Sequence, residues 1–264
     1  IANPLVIYSL LRNLKDGLFL FLLVLSVYLY KRIILIIHNP FLKTISILFY
    51  LLFFATIFPL IRPWGFVIPF INIFTSYLSG DIIIKNGKLQ KIFFLTLIIF
   101  LIFLGIFNYR STVSFWINSI GTESQGLIGL VSGMFRMILG PGPLRTLNPQ
   151  KFFWYYTNIG NITIFVGSIF WYLGLPLFIS EMFMNIKQFK FYHNYFFMNL
   201  VIILFIYSLF YGGSAEVRFR GVIYILISII WHDMSQIDIP TDKILLLYFF
   251  VSIIIWFPAF FMAF

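Results

Sequence analysis

The sequence predicts an all-α fold: a polytopic integral membrane helix bundle with one long outer loop that contains an amphipathic or re-entrant helix. Three observations lead to this prediction. Hydrophobic residues make up 61% of the 264 residues and charged residues only 10%, whereas a soluble domain has about 25% charged residues. Apolar stretches that are long enough to cross, or nearly cross, a bilayer fill most of the chain. A single polar segment, residues 108–161, interrupts them.

The composition also excludes several classes of site. The chain has no cysteine, so disulfides and thiolate metal sites are excluded. Its three histidines are too few and too scattered for an obvious metal cage, and we expect no metal and no cofactor. The net charge is +10, but many of the basic residues fall in short loops between apolar stretches. There, lysine and arginine set topology and attract anionic lipid, so we expect no nucleic-acid binding.

The elements follow from the breaks between apolar stretches. A partial helix at residues 4–11 precedes the first break. Spans are predicted at residues 17–30 (with an extension open as far as 37), 44–61, 66–79, 92–107, 162–183, 195–211, 221–231 and 244–264. The segment 66–79 contains Pro69 and is expected to be kinked or tilted, and Pro176 is expected to kink its span. The helix over 221–231 is expected to begin near Glu216. Residues 1–264 would then form a single transmembrane domain with about seven or eight spans.

The distribution of basic residues predicts the two sides of the membrane. The loops 31–43, 85–91 and 185–194 hold most of the short-loop lysines, which places them and the alternating loop 232–243 in the cytoplasm. With these spans, the polar segment 108–161 and the loop 212–221 share the outer face.

The polar segment predicts a helix of its own. Gln125, Gly129, Ser132 and Arg136 recur at i, i+4, i+7 and i+11, which forms one polar stripe on a helix that ends at the Gly-Pro-Gly-Pro sequence of residues 140–143. Two interpretations stay open: an interfacial helix that only caps the bundle, and a functional site, because a charge at membrane depth marks one.

Cationic side chains concentrate on the predicted outer face. The candidates for substrate binding are Arg110, Arg136, Arg145 and Lys151. The loop 212–221 adds Glu216, Arg218 and Arg220, the candidates for a catalytic role. Glu216 and Arg220 are spaced as a helical ion pair. The alternative is an anion clamp that faces the Arg136 and Arg145 segment, since guanidinium groups bind phosphate through paired hydrogen bonds. The histidines fall on the other face, so a serine–histidine–acid relay is not expected here.

Two segments resemble the Wzy-type O-antigen polymerases of bacterial polysaccharide clusters. They are residues 140–145, Gly-Pro-Gly-Pro-Leu-Arg, and residues 212–220, Gly-Gly-Ser-Ala-Glu-Val-Arg-Phe-Arg. Arg110 and Gly121 also fit the Arg-x10-Gly spacing of some members. The resemblance implies an enzyme of the bacterial inner membrane that joins lipid-linked oligosaccharide repeat units at the outer face. Its partners would be a polyprenyl pyrophosphate-linked oligosaccharide, membrane lipid and a chain-length regulator protein.

The resemblance also implies roles for the candidate residues. Arg136, Arg145, Arg218 and Arg220 would hold pyrophosphate without a metal, and Glu216 would orient or deprotonate the acceptor hydroxyl. Two alternatives remain: a non-catalytic hydrophobic subunit of a larger membrane complex, and a carrier of lipid-linked glycans. A carrier is the less supported of these, because the spans are nearly free of aspartate and glutamate.

Overall fold

The computed structural model of the protein describes residue 4 and residues 14–80, 126–139, 142, 158–186, 188–211, 217–236 and 241–261. All regular structure in these residues is helical. The predicted fold class, an all-α membrane bundle, is confirmed. The predicted span at 92–107 and nearly all of the partial helix at 4–11 lie outside the described residues.

Eight α-helices and two short 3-10 helices make up the described part of the chain. The α-helices are α1 (Leu14–Ile36), α2 (Pro40–Ile61), α3 (Val67–Ser79), α4 (Gly126–Leu139), α5 (Asn158–Asn185), α6 (Tyr195–Tyr211), α7 (Val217–Met234) and α8 (Thr241–Phe261). The 3-10 helices are Pro63–Phe66 and Phe191–His193. The helix expected to begin near Glu216 is α7, which begins one residue later.

Within the described residues, three helices are long and apolar enough to cross a membrane. They are Leu14–Ile36, Pro40–Ile61 and Ile162–Asn185. A further helix, α8, exposes one apolar face whose members are Leu246, Phe249, Ile253 and Phe257. Their spacing of three or four residues places them on one side of the helix. Exposure of this apolar face to water is energetically unfavourable, whereas contact with lipid is favourable. The protein is therefore embedded in a membrane.

The chain divides into two compact units. The first, called here the N-terminal unit, comprises Leu18–Thr122 and Tyr192–Asn199. The second, called the C-terminal unit, comprises Ile1–Gly17, Glu123–Phe191 and Leu200–Phe264. The C-terminal unit contains α4, α5, α7 and α8, and therefore holds every candidate site residue that the structure describes.

Prolines mark the starts of two helices in the N-terminal unit. The Asn39 side chain caps α2 by accepting the backbone N–H groups of Phe41 and Leu42 at 3.0 and 3.4 Å, and Pro40 is the first helical residue. Pro69 is the third residue of α3, where a backbone N–H would have no partner inside the helix. It therefore fits the first turn of α3 and does not remove a hydrogen bond from the interior of the helix.

A buried hydrogen-bond network joins four helices of the N-terminal unit. Asn72 on α3 donates to Ser26 Oγ on α1 at 2.9 Å and to the Tyr50 hydroxyl on α2 at 2.8 Å. Asn199 on α6 donates to Asn72 Oδ1 at 2.8 Å. Inside a membrane, a polar side chain without such a partner is costly, so the network favours a single arrangement of these helices.

In the C-terminal unit, α5 is the central helix. It packs against α7 and α8, and α7 also packs against α4. The helix continues through Pro176 as one element, and the Ser180 hydroxyl donates to the Pro176 carbonyl at 2.7 Å. Helix α5 thus contacts α7 and α8 along its length and the end of α4 through two side chains. Its contacts with α4 and α7 position the site.

Candidate functional site

The structure places three candidate arginines in two helices that touch. Arg136 belongs to α4, and Arg218 and Arg220 belong to the first turn of α7. Helices α4 and α7 pack against each other. The Arg220 side chain is described, whereas for Arg136 and Arg218 the structure describes the backbone alone. The remaining candidates lie outside the described residues; they are Arg110, Arg145, Lys151 and Glu216.

Helix α4 is the helix predicted from the polar stripe, and its end is stabilised by α5. It ends at Leu139, directly before the Gly-Pro-Gly-Pro sequence, as expected. The last carbonyl groups of a helix have no partner within it, and prolines cannot supply an N–H. Trp171 Nε1 donates to the Ile138 carbonyl at 2.8 Å, and the Tyr172 hydroxyl donates to the Leu139 carbonyl. Two neighbouring side chains of α5 therefore cap the C-terminus of α4.

Arg220 lies in the interior of the C-terminal unit, with 1% of its surface exposed. It stands one helical turn before Tyr224 on α7. Its guanidinium group lies within electrostatic range of the hydroxyl groups of Tyr224 and Tyr172. A guanidinium group is tolerated in an apolar interior only where polar groups surround it. The Tyr172 hydroxyl also contacts the end of α4, so Arg220 marks the place where α4, α5 and α7 meet.

Trp171 connects the same three helices. Its ring stacks on that of Tyr224, with a centroid separation of 3.7 Å and an interplanar angle of 12°. Its N–H group holds the end of α4. Arg220, Trp171, Tyr172 and Tyr224 are called here the arginine–aromatic cluster. The cluster lies where the N-terminal end of α7 meets the C-terminal end of α4. The positive end of one helix dipole and the negative end of another therefore lie close to Arg220.

The sequence-based prediction missed a carboxylate inside an apolar helix. Glu181 lies in α5, within the predicted span 162–183, and accepts a hydrogen bond from Trp231 Nε1 at 2.9 Å. The signal was available in the sequence, because a single acid in an apolar stretch marks a functional position. The scarcity of acids in the spans was the reason for giving the carrier hypothesis little support, and Glu181 weakens that reason.

A cavity of about 640 Å³ lies between α5 and α7 beside Glu181. Its lining residues are Phe170, Trp171, Gly174, Leu175, Phe178, Glu181, Ile227, Ser228, Trp231, His232 and Ser235. The polymerase hypothesis predicts an outer cavity lined by arginines. This cavity is a different one, because Arg220 is not among its described lining residues.

No protein-family model, no curated protein and no solved structure matches the chain. The membrane class and the helical fold therefore rest on composition and structure. The resemblance to the polymerases rests on the residues quoted above.

Proposed function

We propose that the protein polymerises lipid-linked oligosaccharide repeat units at the outer face of the bacterial inner membrane. In this proposal it transfers the growing glycan from one polyprenyl pyrophosphate carrier to the sugar end of another lipid-linked unit. The packing of α4 against α7 is the observation that carries the proposal. It brings together two segments that are remote in the sequence, one with Arg136 and the other with Arg218 and Arg220.

The main requirement of the reaction is positively charged side chains that stabilise the leaving diphosphate, and a relay of acids and bases is less important. A hydroxyl of the acceptor sugar attacks the anomeric carbon of the donor glycan, and the bond from that carbon to the pyrophosphate oxygen breaks. The leaving diphosphate carries the developing negative charge, which guanidinium groups stabilise through charge-assisted hydrogen bonds. The hydroxyl proton passes to a base, and Glu216 is the residue proposed for that role.

The arginines have two different roles in this proposal. Arg220 is buried among aromatic rings, so in this proposal it is a positioning residue: it holds the junction of α4, α5 and α7 and adds positive potential. Arg136, Arg145 and Arg218 are the groups proposed to contact the diphosphate. Arg110 and Lys151 belong to the same outer segment and are proposed to bind the glycan-bearing end of the substrate.

The test is complementation of a strain of the source bacterium that lacks the gene. The strain receives the wild-type gene or genes encoding Arg145→Ala and Arg218→Ala, and glycan chain length is scored on gels. We expect the ladder of long chains to shorten to single repeat units in both variants, because the loss of one oxyanion-stabilising donor costs about 10²–10³ in rate.

A matched control removes a basic residue of the predicted cytoplasmic side. Lys243 is exposed at the start of α8, and Lys243→Ala should leave the ladder unchanged. All variants are compared at equal membrane abundance, measured by immunoblot. An unchanged ladder in Arg145→Ala and Arg218→Ala, at normal abundance, would eliminate the polymerase proposal.

A further inference from the structure

The cavity between α5 and α7 extends from Trp171, a member of the arginine–aromatic cluster, toward the C-terminal end of α7. Arg220 stands in the first turn of α7, whereas His232, near its last residue, lines the cavity. The two positions are separated by ~18 Å along the helix axis, at 1.5 Å per residue. Trp171 belongs to both the cluster and the cavity lining, whereas Glu181, Trp231 and His232 line the part of the cavity that lies away from Arg220. The inference drawn for the cavity rests on these residues and is tested independently of the proposed polymerase activity.

The walls of the cavity are largely aromatic. Phe170, Trp171, Phe178 and Trp231 line it, and its volume of about 640 Å³ lies within the range of roughly 300–1,000 Å³ that small-molecule sites occupy. Gly174 lines the cavity, and a Cβ at this position would lie in ordinary contact with the Trp231 ring, at 3.6 Å. A larger side chain there would extend into the cavity.

The polar groups of the cavity act mostly as hydrogen-bond acceptors. Glu181 contributes a carboxylate. The Trp231 N–H donates its hydrogen to that carboxylate and is therefore not available to a ligand. The Ser228 hydroxyl donates to the Tyr224 carbonyl at 2.8 Å, and the Ser235 hydroxyl donates to the His232 carbonyl at 2.9 Å. The hydrogens of both hydroxyls are thus committed, while their oxygens remain able to accept.

The charge of the lining matches a cation. Among the lining residues Glu181 is the acid, none is a lysine or an arginine, and His232 adds an imidazole. Aromatic faces attract cations through the ring quadrupole, most strongly where water is excluded. A largely apolar, aromatic cavity that contains a carboxylate is complementary to a molecule that is both cationic and apolar.

We infer that this cavity binds an amphipathic organic cation, in which a positively charged group faces Glu181 and an apolar body occupies the space between Phe170, Phe178 and Trp231. The membrane itself delivers such molecules, because they partition into lipid from either side. Glu181 selects for ligands that carry a positive charge, and the absence of a side chain at Gly174 leaves space for their apolar part.

Binding of tetraphenylphosphonium tests the inference directly. The full-length protein is reconstituted in lipid nanodiscs, and binding is measured by equilibrium dialysis of the labelled ion and by quenching of tryptophan fluorescence. Empty nanodiscs correct for partition into lipid. Tetraphenylborate has nearly the same shape and the opposite charge. We expect saturable binding of the phosphonium and none of the borate above the lipid background.

Two variants separate the contributions of charge and space. Glu181→Gln keeps an acceptor for the Trp231 N–H and removes the charge, and we expect the dissociation constant to rise by about tenfold or more. Gly174→Leu fills the cavity and should abolish binding. Asp242→Asn, at an exposed position at the start of α8, removes an acid elsewhere and should leave binding unchanged. Equal affinity of Glu181→Gln and wild type, or equal binding of both ions, would overturn the inference.

Discussion

The two ends of the α5–α7 pair hold similar groups in different settings. At one end a tryptophan of α5 and a buried arginine of α7 surround the C-terminus of α4. At the other end a tryptophan of α7 donates to a carboxylate of α5 beside a cavity. Trp171 binds a backbone carbonyl, whereas Trp231 binds a charged side chain.

This difference separates a structural charge from an accessible one. Arg220 has 1% of its surface exposed, so a ligand does not reach it without rearrangement, and its main contribution is to the packing of three helices. Glu181 is partly exposed and lines a cavity, so a ligand in the cavity can contact its carboxylate. Stability measurements should therefore respond strongly to changes at the first end and weakly at the second.

The largest effect is expected from Arg220→Ala. The substitution removes one of the largest fully buried side chains and leaves a cavity where α4, α5 and α7 meet, and large-to-small substitutions in a core cost about 2–5 kcal/mol. The free energy of unfolding is measured by SDS titration in mixed micelles. Arg32→Ala is the matched control, because Arg32 donates to the Tyr28 hydroxyl at an exposed position and should have no measurable effect. Similar losses in both variants would contradict a special role for Arg220.

A pair of tryptophan substitutions compares the ends directly. Trp171→Phe leaves the half-buried Ile138 carbonyl without its side-chain donor and should lower the free energy of unfolding by about 1–2 kcal/mol. Trp231→Phe leaves a carboxylate that the cavity can solvate, so its effect should be clearly smaller. The same titration measures both, and a larger loss for Trp231→Phe would reverse the assignment of the two ends.

A tyrosine pair isolates the cap of α4. Tyr172→Phe removes the hydroxyl that donates to the Leu139 carbonyl, with an expected loss of about 1–2 kcal/mol. Tyr248→Phe removes a weaker bond, 3.4 Å long, to the Leu173 carbonyl near the surface of α5, and should cost less. If Tyr172→Phe is neutral, the end of α4 does not depend on this cap.

The smallest effect is expected from Glu181→Gln. The glutamine still accepts from Trp231, and the cavity gives access to solvent or ligand, so stability should change by less than about 0.5 kcal/mol. A large destabilisation would mean that Glu181 is a structural residue, in contrast to the binding role inferred for it.

Hydropathy predicted the fold class and most described helices, because a membrane forces backbone groups to pair within apolar helices. The helix of the polar segment was predicted equally well. Its spacing of three or four residues and the following Gly-Pro-Gly-Pro sequence carried the necessary information, and α4 ends at Leu139.

Side-chain partners between helices were not predictable in this way. Nothing in the spacing of Ser26, Tyr50, Asn72 and Asn199 indicates that they form one network, since this depends on which helices become neighbours. The same holds for Trp171 and Tyr172, which cap a helix that precedes them by 33 residues. Glu181 was missed for a different reason: the span 162–183 was identified by its overall hydropathy, and the single acid within it, which is itself a signal of function, was passed over.

The most direct measurement compares a diphosphate lipid with a lipophilic cation on one set of variants. Farnesyl diphosphate and tetraphenylphosphonium are titrated separately into the protein in nanodiscs, with farnesol as the uncharged control. We expect the double variant Arg136→Ala and Arg218→Ala to weaken binding of the diphosphate by about tenfold or more and to leave the phosphonium unaffected, with the converse for Glu181→Gln. If farnesyl diphosphate binds no better than farnesol, or if the arginine substitutions leave its affinity unchanged, the α4–α7 end does not bind a diphosphate.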